Sequence, residues 1–280
     1  MYEPVTTPAL RLHMLKSVTD TINMSLIFQS GDSLIVFDGG YASETDYLFS
    51  YLKALQGRVK GWFFTHVHDD HICAAAELMK KYGNKIPIDK VYYHFPSSQF
   101  LDDYEPNQDA MSTRELLSHF HTAIAGCHAE KVTVDTGDRF SFPNIEVTVL
   151  RTPDEAITVN PINNSSVCYR VEAGGSSILI LGDLGAEGGR QLLAQTDPGL
   201  LRADYVQMAH HGQSGVERDV YEAIHPDYCL WCTPSWLWDN IGAGGYDTGG
   251  YRTIITRGWM SEMGIKKHYI MKDGTQVIDL

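Results

Sequence analysis

The stretch Thr65-His66-Val67-His68-Asp69-Asp70-His71 directly follows a short apolar run, Gly61 to Thr65. A chain that gathers three imidazoles and a carboxylate this closely needs a fold that ends a strand at an open sheet edge and turns there. Extended backbone alternates its side chains, so His66 and His68 point one way. Asp70 and His71, past the turn, reach a second position nearby. Imidazole and carboxylate donors suit borderline divalent metals such as zinc, and this spacing suits two adjacent ions. Asp69 reads as a cap or as a support behind the ligands. The bland alternative, a solvated loop with capping aspartates, has no use for three histidines.

Two later fragments follow the same logic. Gly182-Asp183 comes directly after the apolar strand Ile178 to Leu181, and His210-His211-Gly212-Gln213-Ser214 follows the strand Tyr205 to Ala209. Taken singly, each is an ordinary polar turn. Taken together they sit at strand ends, where α/β proteins build sites. The two oxygens of Asp183 suit a bridge between metals, and one imidazole of the His210-His211 pair completes the second ion. Gly212 lets backbone approach a ligand closely.

The surrounding pattern is α/β. Ser25 to Ser30 and Ser33 to Phe37 flank Gly31-Asp32 as a hairpin ending at Asp38-Gly39-Gly40. Ser43 opens a helix with Asp46 as a capping-box partner, and Gly57 stops it. A helix is expected from about Ile72 to Tyr82, a strand near Lys90 to Tyr93, and a helix from about Asp109 to Ala125. Strands then follow at Val132 to Val134, Ile145 to Leu150, Ser166 to Val171 and Ser177 to Leu181. The last part alternates again: Tyr205 to Ala209, helix Glu217 to Ile224, Tyr228 to Cys232, helix Ile254 to Met263 and Lys267 to Met271. With no repeat or linker, residues 1–280 read as one domain built from two βα halves.

Composition narrows the function. The chain is 43% hydrophobic and 20% charged, which excludes a disordered protein. With 35 acidic against 22 basic residues its formal charge is -13, and no Lys/Arg cluster offers an extended nucleic acid a footprint. A small-molecule substrate is expected. No run approaches a membrane span, and Met1 to Leu10 does not read as a signal peptide. An odd, scattered set of five cysteines suggests reduced thiols and a cytoplasmic location.

The three motifs together resemble the metallo-β-lactamase-like hydrolase superfamily. The likeness runs from Val36-Phe37-Asp38-Gly39-Gly40, similar to its early aspartate turn, to Lys272-Asp273-Gly274-Thr275, similar to its closing hairpin. The Gly-Asp and His-His-Gly pieces look most like the hydrolase domain of bacterial competence (DNA-uptake) proteins. The resemblance implies an αββα sandwich: two mixed sheets flanked by helices, with the site at the sheet edges. It implies that His66 and His68 bind metal one, that Asp70, His71 and His210 bind metal two, and that Asp183 bridges both. Asp38 would support the histidine loop, and His211 would support a ligand or touch substrate. The choice between His210 and His211 stays open. Two zinc ions, or manganese or iron, would lie about 3.5–4 Å apart and supply a hydroxide that Asp70 orients toward a phosphodiester or related small ester.

One departure concerns metal one. Many members carry a further histidine in a Thr-Pro-Gly-His stretch. Here the chain reads Arg151-Thr152-Pro153-Asp154-Glu155, then Asn163-Asn164-Ser165-Ser166, and no histidine lies between His128 and His210. Asn163, Asp154 or Glu155 would have to help, or metal one is held by fewer groups. A protein that keeps the site only to bind a metal or sense a ligand is the rival this supports. A di-iron redox enzyme is the other, although such members resemble His-x-Glu-x-Asp-His and position 68 here is His. Cys229 and Cys232 lie three apart in a strand and so face opposite sides. Trp236 to Arg252 mixes aromatics with glycines, which suits a lid or substrate-binding loop and equally an ordinary surface loop or an oligomer contact.

Overall fold

The computed structural model describes residues 10–104 and 112–280. The first half runs β1 (Leu10–Met14), β2 (Ser25–Ser30), β3 (Ser33–Asp38), α1 (Thr45–Ala54), β4 (Arg58–Phe63), α2 (Asp69–Tyr82), β5 (Lys90–Tyr93), α3 (Ser98–Tyr104), α4 (Thr113–Ala125) and β6 (Glu130–Thr133). The second half runs β7 (Arg139–Phe142), β8 (Ile145–Arg151), β9 (Cys168–Ala173), β10 (Ser176–Ile180), α5 (Ala186–Gln195), α6 (Pro198–Leu201), β11 (Tyr205–Gln207), α7 (Arg218–Ile224), β12 (Tyr228–Trp231), α8 (Ser235–Trp238), α9 (Thr253–Glu262), β13 (Lys267–Ile270) and β14 (Gln276–Asp279).

These strands form two mixed sheets of seven, ordered β14-β1-β2-β3-β4-β5-β6 and β13-β12-β11-β10-β9-β8-β7. Three apolar layers separate four structural layers, and strand alternation decides which residue joins which layer. In β3, Ile35 and Phe37 face the second sheet, while Leu34 and Val36 pack under α1 and α2. In β10, Ile178 and Ile180 face the first sheet, and Leu179 packs under α5 and α7. The expected αββα sandwich is therefore the observed fold. Cys229 and Cys232 fall in different layers, as their spacing requires, and both are free thiols. Among the described residues no helix is long and apolar enough to cross a membrane.

Strand direction positions the site. β3, β4, β5 and β6 are mutually parallel, as are β10, β11, β12 and β13. The ends of β3, β4, β10 and β11 meet at one edge of the sandwich, where Val167 N–H donates to Thr65 O at 2.9 Å. Loops leaving strands at this edge carry all three motifs.

Several elements depart from the sequence expectation. α2 begins at Asp69, not Ile72, so Asp70 and His71 lie in its first turn. The Ser43–Asp46 capping box does not form: a 3-10 turn occupies Ala42–Glu44, and Asp46 instead accepts from Lys81 and Tyr82. The expected helix start at Asp109 lies outside the described residues, and a capping box between Ser112 and Glu115 opens α4. The Lys272–Thr275 stretch is not a hairpin, because β13 pairs with β12 in one sheet and β14 with β1 in the other.

Candidate metal centre

Asp38 organises the centre from below. It ends β3 in a left-handed conformation (φ 53°). Its carboxylate accepts from Thr65 N–H at 2.8 Å and from the Thr65 hydroxyl at 2.7 Å. Nδ1 of His71 lies 2.7 Å from the same carboxylate. Since a carboxylate only accepts, His71 donates through Nδ1 and turns Nε2 toward the interior of the site. Trp62 donates its indole N–H to the Asp38 carbonyl at 2.9 Å, fixing the strand end.

Nε2 of His71 is 3.2 Å from Oδ1 of Asp183 and 3.5 Å from Oδ2 of Asp70. Nε2 of His211 is 2.8 Å from Oδ2 of Asp70 and 3.4 Å from Oδ2 of Asp183. Asp70 Oδ2, His71 Nε2, Asp183 Oδ1 and His211 Nε2 are buried and have no hydrogen-bond partner of good geometry. Four buried polar atoms that converge in ion-pair contacts without a well-formed hydrogen bond are costly unless a further group satisfies them. A divalent cation fits that need, and the four residues come close enough to hold one.

A second group joins His66, His68 and again Asp183. Nε2 of His66 faces Nδ1 of His68 at 3.0 Å and lies 3.9 Å from Oδ2 of Asp183. Burial holds the pKa of His66 well below its ordinary value, with the charge of His71 adding to it, and burial also lowers His68. Both shifts favour the neutral imidazole, the form that binds metal. His71 and His211 shift the other way. Burial opposes their charge, but the carboxylates of Asp183 and Asp70 win, raising His71 well above its usual range and His211 to about 10. The same imidazoles hold Asp70 and Asp183 below the usual carboxylate range, against the burial that pushes them up.

Asp183 is set by its backbone. Gly182 is left-handed (φ 57°), and a Cβ there would stand 2.8 Å from Thr65. Asp183 N–H donates to the Ser166 hydroxyl at 3.0 Å. Gln207, buried in β11, accepts from Leu181 N–H and donates to Gly182 O. Thr65, Ser166 and Gln207 are supports that the sequence reading did not single out. Thr65 opens the histidine motif and was visible there, whereas nothing marked Gln207.

The His210-His211 pair resolves through backbone conformation. His210 (φ 52°), His211 (φ 55°) and Gly212 (φ 81°) are three consecutive left-handed residues. This tight curl buries His211, whose Nδ1 lies 2.9 Å from Cys232 O. Thr233 donates its hydroxyl to His211 O at 2.7 Å. His210 stays partly exposed, with Nε2 3.9 Å from Asp183 Oδ2 and Nδ1 3.3 Å from Ser214 O. The geometry therefore groups His211, not the expected His210, with Asp70, His71 and Asp183.

Of the residues expected to help metal one, Asp154 accepts from Ala156 N–H and from Gln191, and Glu155 accepts from Ser97 N–H. Asn163 donates to Asn160, leaving its buried Oδ1 without a partner. Neither carboxylate joins the His66–His68–Asp183 group. At the rim, Ser235 N–H donates to Asp20 Oδ1 at 2.8 Å, and the Trp236 indole donates to Asp20 O at 3.0 Å. The stretch after β12 is thereby pinned to the β1–β2 loop.

Known proteins share this architecture. The structure of the metallo-beta-lactamase fold protein YhfI from Bacillus subtilis superposes with a TM-score of 0.57 at 13% identity, covering 96% of this chain and 99% of that one. CmlA, a diiron beta-hydroxylase from Streptomyces venezuelae, superposes with a TM-score of 0.57 at 14% identity. That match covers 99% of this chain, which spans only 55% of CmlA. At such identities the likeness is one of fold. A comparison with curated proteins found no match. The family model described as "Metallo-beta-lactamase superfamily" matches residues 18–228. Matched over most of its length, the chain belongs to the metallo-β-lactamase superfamily.

Proposed function

We propose that this protein is a metal-dependent hydrolase of small phosphodiesters or related esters. The observation that carries the reading is the convergence of four buried donor atoms without a well-formed hydrogen bond, from Asp70, His71, Asp183 and His211, beside the His66–His68 pair. His66 and His68 would hold one ion, and Asp70, His71 and His211 the other. Asp183 belongs to both groups. Imidazole and carboxylate donors fit zinc, and manganese or iron as alternatives. Bound ions would supply Lewis acidity and lower the pKa of a water toward ~7.

The chain's own groups do the rest. Asp38 fixes the His71 ring, and Asp70 orients the attacking water. His210, partly exposed beside Asp183, is placed to hydrogen-bond the substrate. The Gly182-Asp183 and His210-His211-Gly212 pieces, which resemble the competence-type hydrolase domain, incline the reading toward phosphodiesters. Five free thiols, four of them buried, fit a reducing compartment.

The test is elemental analysis of protein purified without chelator, followed by turnover of bis(p-nitrophenyl) phosphate and a panel of esters, thioesters and lactams. Two equivalents of metal and chelator-sensitive turnover are expected. Metal-replete protein that hydrolyses nothing in the panel would sink the reading.

A second reading rests on the donor set around His66. Two imidazoles and one carboxylate, with no third imidazole, are also the ligands of non-haem iron oxygenases. Iron retained in preference to zinc, with oxygen consumption in place of hydrolysis, would favour it.

A further inference from the structure

Asn163 is 5% exposed, and its Oδ1 is buried with no hydrogen-bond partner of good geometry. The other end of the amide is spent: Nδ2 donates to Asn160 Oδ1 at 3.0 Å. The end left over is therefore an acceptor. A buried carbonyl oxygen of this kind is costly unless something that attracts oxygen lies against it.

The oxygen's place in the fold says what that is. Asn163 opens a single 3-10 turn, Asn163–Ser165, that runs through Ser166 into β9. The turn is tied to both halves of the candidate centre. Val167 N–H donates at 2.9 Å to the carbonyl of Thr65, the residue before His66. The Ser166 hydroxyl accepts from Asp183 N–H at 3.0 Å, and Ser166 N–H donates to Asn163 O at 3.0 Å. Two hydrogen bonds thus link Asn163 to Asp183.

The side-chain directions follow from the turn. A 3-10 helix has three residues per turn, so successive side chains leave it about 120° apart. Ile162 enters the apolar layer that holds Phe64 and Ile72 in the first half. Asn164 turns to α5 in the second half, where its Oδ1 accepts from Gly185 and Gly188 N–H. One direction is taken by each half, and burial denies the third to solvent. What remains runs between the halves, where His66 Nε2 lies 3.9 Å from Asp183 Oδ2.

The group there is short of donors. His66, His68 and Asp183 offer three ligand atoms, and an ion of the zinc class takes at least four ligands. Asp154 and Glu155, on the same loop, are turned to Ala156, Gln191 and Ser97.

We infer that Asn163 Oδ1 is a further ligand of metal one, completing the His66–His68–Asp183 group. This rests on the metal centre proposed above and not on the reaction assigned to it. An amide oxygen is neutral and hard, whereas position two gathers two imidazoles and two carboxylates. Carbonyl oxygen suits manganese and imidazole suits zinc. Position one should therefore bind more weakly than position two and discriminate less against manganese.

The experiment is calorimetric titration of zinc and, separately, manganese into chelator-treated protein, with bound manganese counted by electron paramagnetic resonance. Wild type should show two unequal sites. Asn163→Ala should weaken the weaker site by roughly 10- to 100-fold and spare the tighter one. Asn163→Asp, which keeps the shape and adds charge, should tighten it. Asn163→His should raise its preference for zinc over manganese by roughly tenfold. Asn164→Ala is the structural control: it loses the contacts to α5 and should lower Tm without changing the ratio of the two affinities. Crystals of wild type grown with zinc need no variant, and should show anomalous density about 2.0–2.2 Å from Asn163 Oδ1. Zinc bound at His66 and His68 but away from that oxygen overturns the inference and leaves the centre standing. Two affinities unchanged in Asn163→Ala and Asn163→Asp do the same, as does a rise in KM alone, which would turn the oxygen toward substrate. A ratio that Asn164→Ala changes as much as Asn163→Ala also overturns it. Protein that binds neither ion overturns the inference and the centre together. Two sites that depend on Asn163, in protein that turns over no ester, keep the inference and sink only the hydrolase reading.

Discussion

Nδ1 of His71 sits 2.7 Å from Oδ2 of Asp38, with both residues shut away from solvent. The contact joins the first turn of α2 to the end of β3, so one ion pair holds a helix, a strand and an imidazole in register. Thr65 donates twice to the same carboxylate. Asp38 therefore controls the centre without belonging to either ligand group.

Asp38→Asn tests that relationship. The amide keeps one acceptor oxygen but presents N–H groups to partners that donate. Supports of this kind are worth 10–100-fold in metal affinity, by order of magnitude. Breaking a buried pair costs about 3 kcal/mol of stability. Isothermal titration of metal into chelator-treated protein should show position two weakened by about that factor, with position one less affected. Equal affinities in wild type and variant would show that His71 keeps its orientation without Asp38.

His211→Ala and His210→Ala should separate cleanly. The first removes a buried nitrogen that faces Asp70 at 2.8 Å, and metal content should fall from two equivalents toward one. The second removes a partly exposed ring that donates to no ligand group, so metal content should hold while kcat/KM falls roughly 10- to 100-fold, the range for losing a substrate hydrogen bond in a desolvated site. If His210→Ala loses the metal and His211→Ala keeps it, the left-handed curl does not assign the ligand.

Metal affinity and metal-free stability should respond oppositely to pH. Without metal, His211 is raised to about 10 and His71 also lies above its ordinary value, because carboxylate attraction exceeds the cost of burial. A raised folded-state pKa stabilises fully below the unfolded value of about 6.5, and that stabilisation is lost as pH rises toward about 10. Metal binding displaces the same protons and strengthens over that window. The Tm of chelator-treated protein should fall between pH 7 and 10, while the increment given by metal grows. Parallel Tm curves with and without metal would contradict this coupling.

The sequence made the candidate centre legible where the residues that could hold metal are contiguous or directly follow a strand. His66, His68, Asp70 and His71 share six residues, and Asp183 follows the apolar strand now seen as β10. The choice between His210 and His211 was not legible, because it depends on three successive left-handed residues that no hydrophobic period encodes. β1 and β14 escaped notice because each is paired across nearly the whole chain, Arg11 with Asp279 for example. α5 was hidden by Gly188 and Gly189, which look like loop residues. They are there for close packing: a Cβ on Gly188 would stand 2.3 Å from Leu184, and one on Gly189 3.0 Å from Val216. The Ser43 cap failed because Asp46 has stronger partners in Lys81 and Tyr82.

Gly212→Ala tests the conformation that buries His211 beside Asp70 and Asp183. The residue sits at φ 81°, where a side chain is strained, and its Cβ would stand 2.4 Å from the Trp231 ring. Trp231 cannot retreat freely, because its indole N–H donates to His268 at 3.0 Å and Trp238 packs against it in a T-shaped contact. Overpacking and backbone strain together should cost about 2–4 kcal/mol. The strain falls on the curl that aims His211, so metal at position two should weaken more than at position one. Gly258→Ala is the control: it lies within α9 with open space around the Cβ position, and helix propensity should make it neutral or stabilising by up to about 1 kcal/mol. Calorimetry with and without metal gives both quantities. A Gly212→Ala protein with wild-type Tm and two tight metal equivalents would mean that the curl follows from ligation and does not select the ligand.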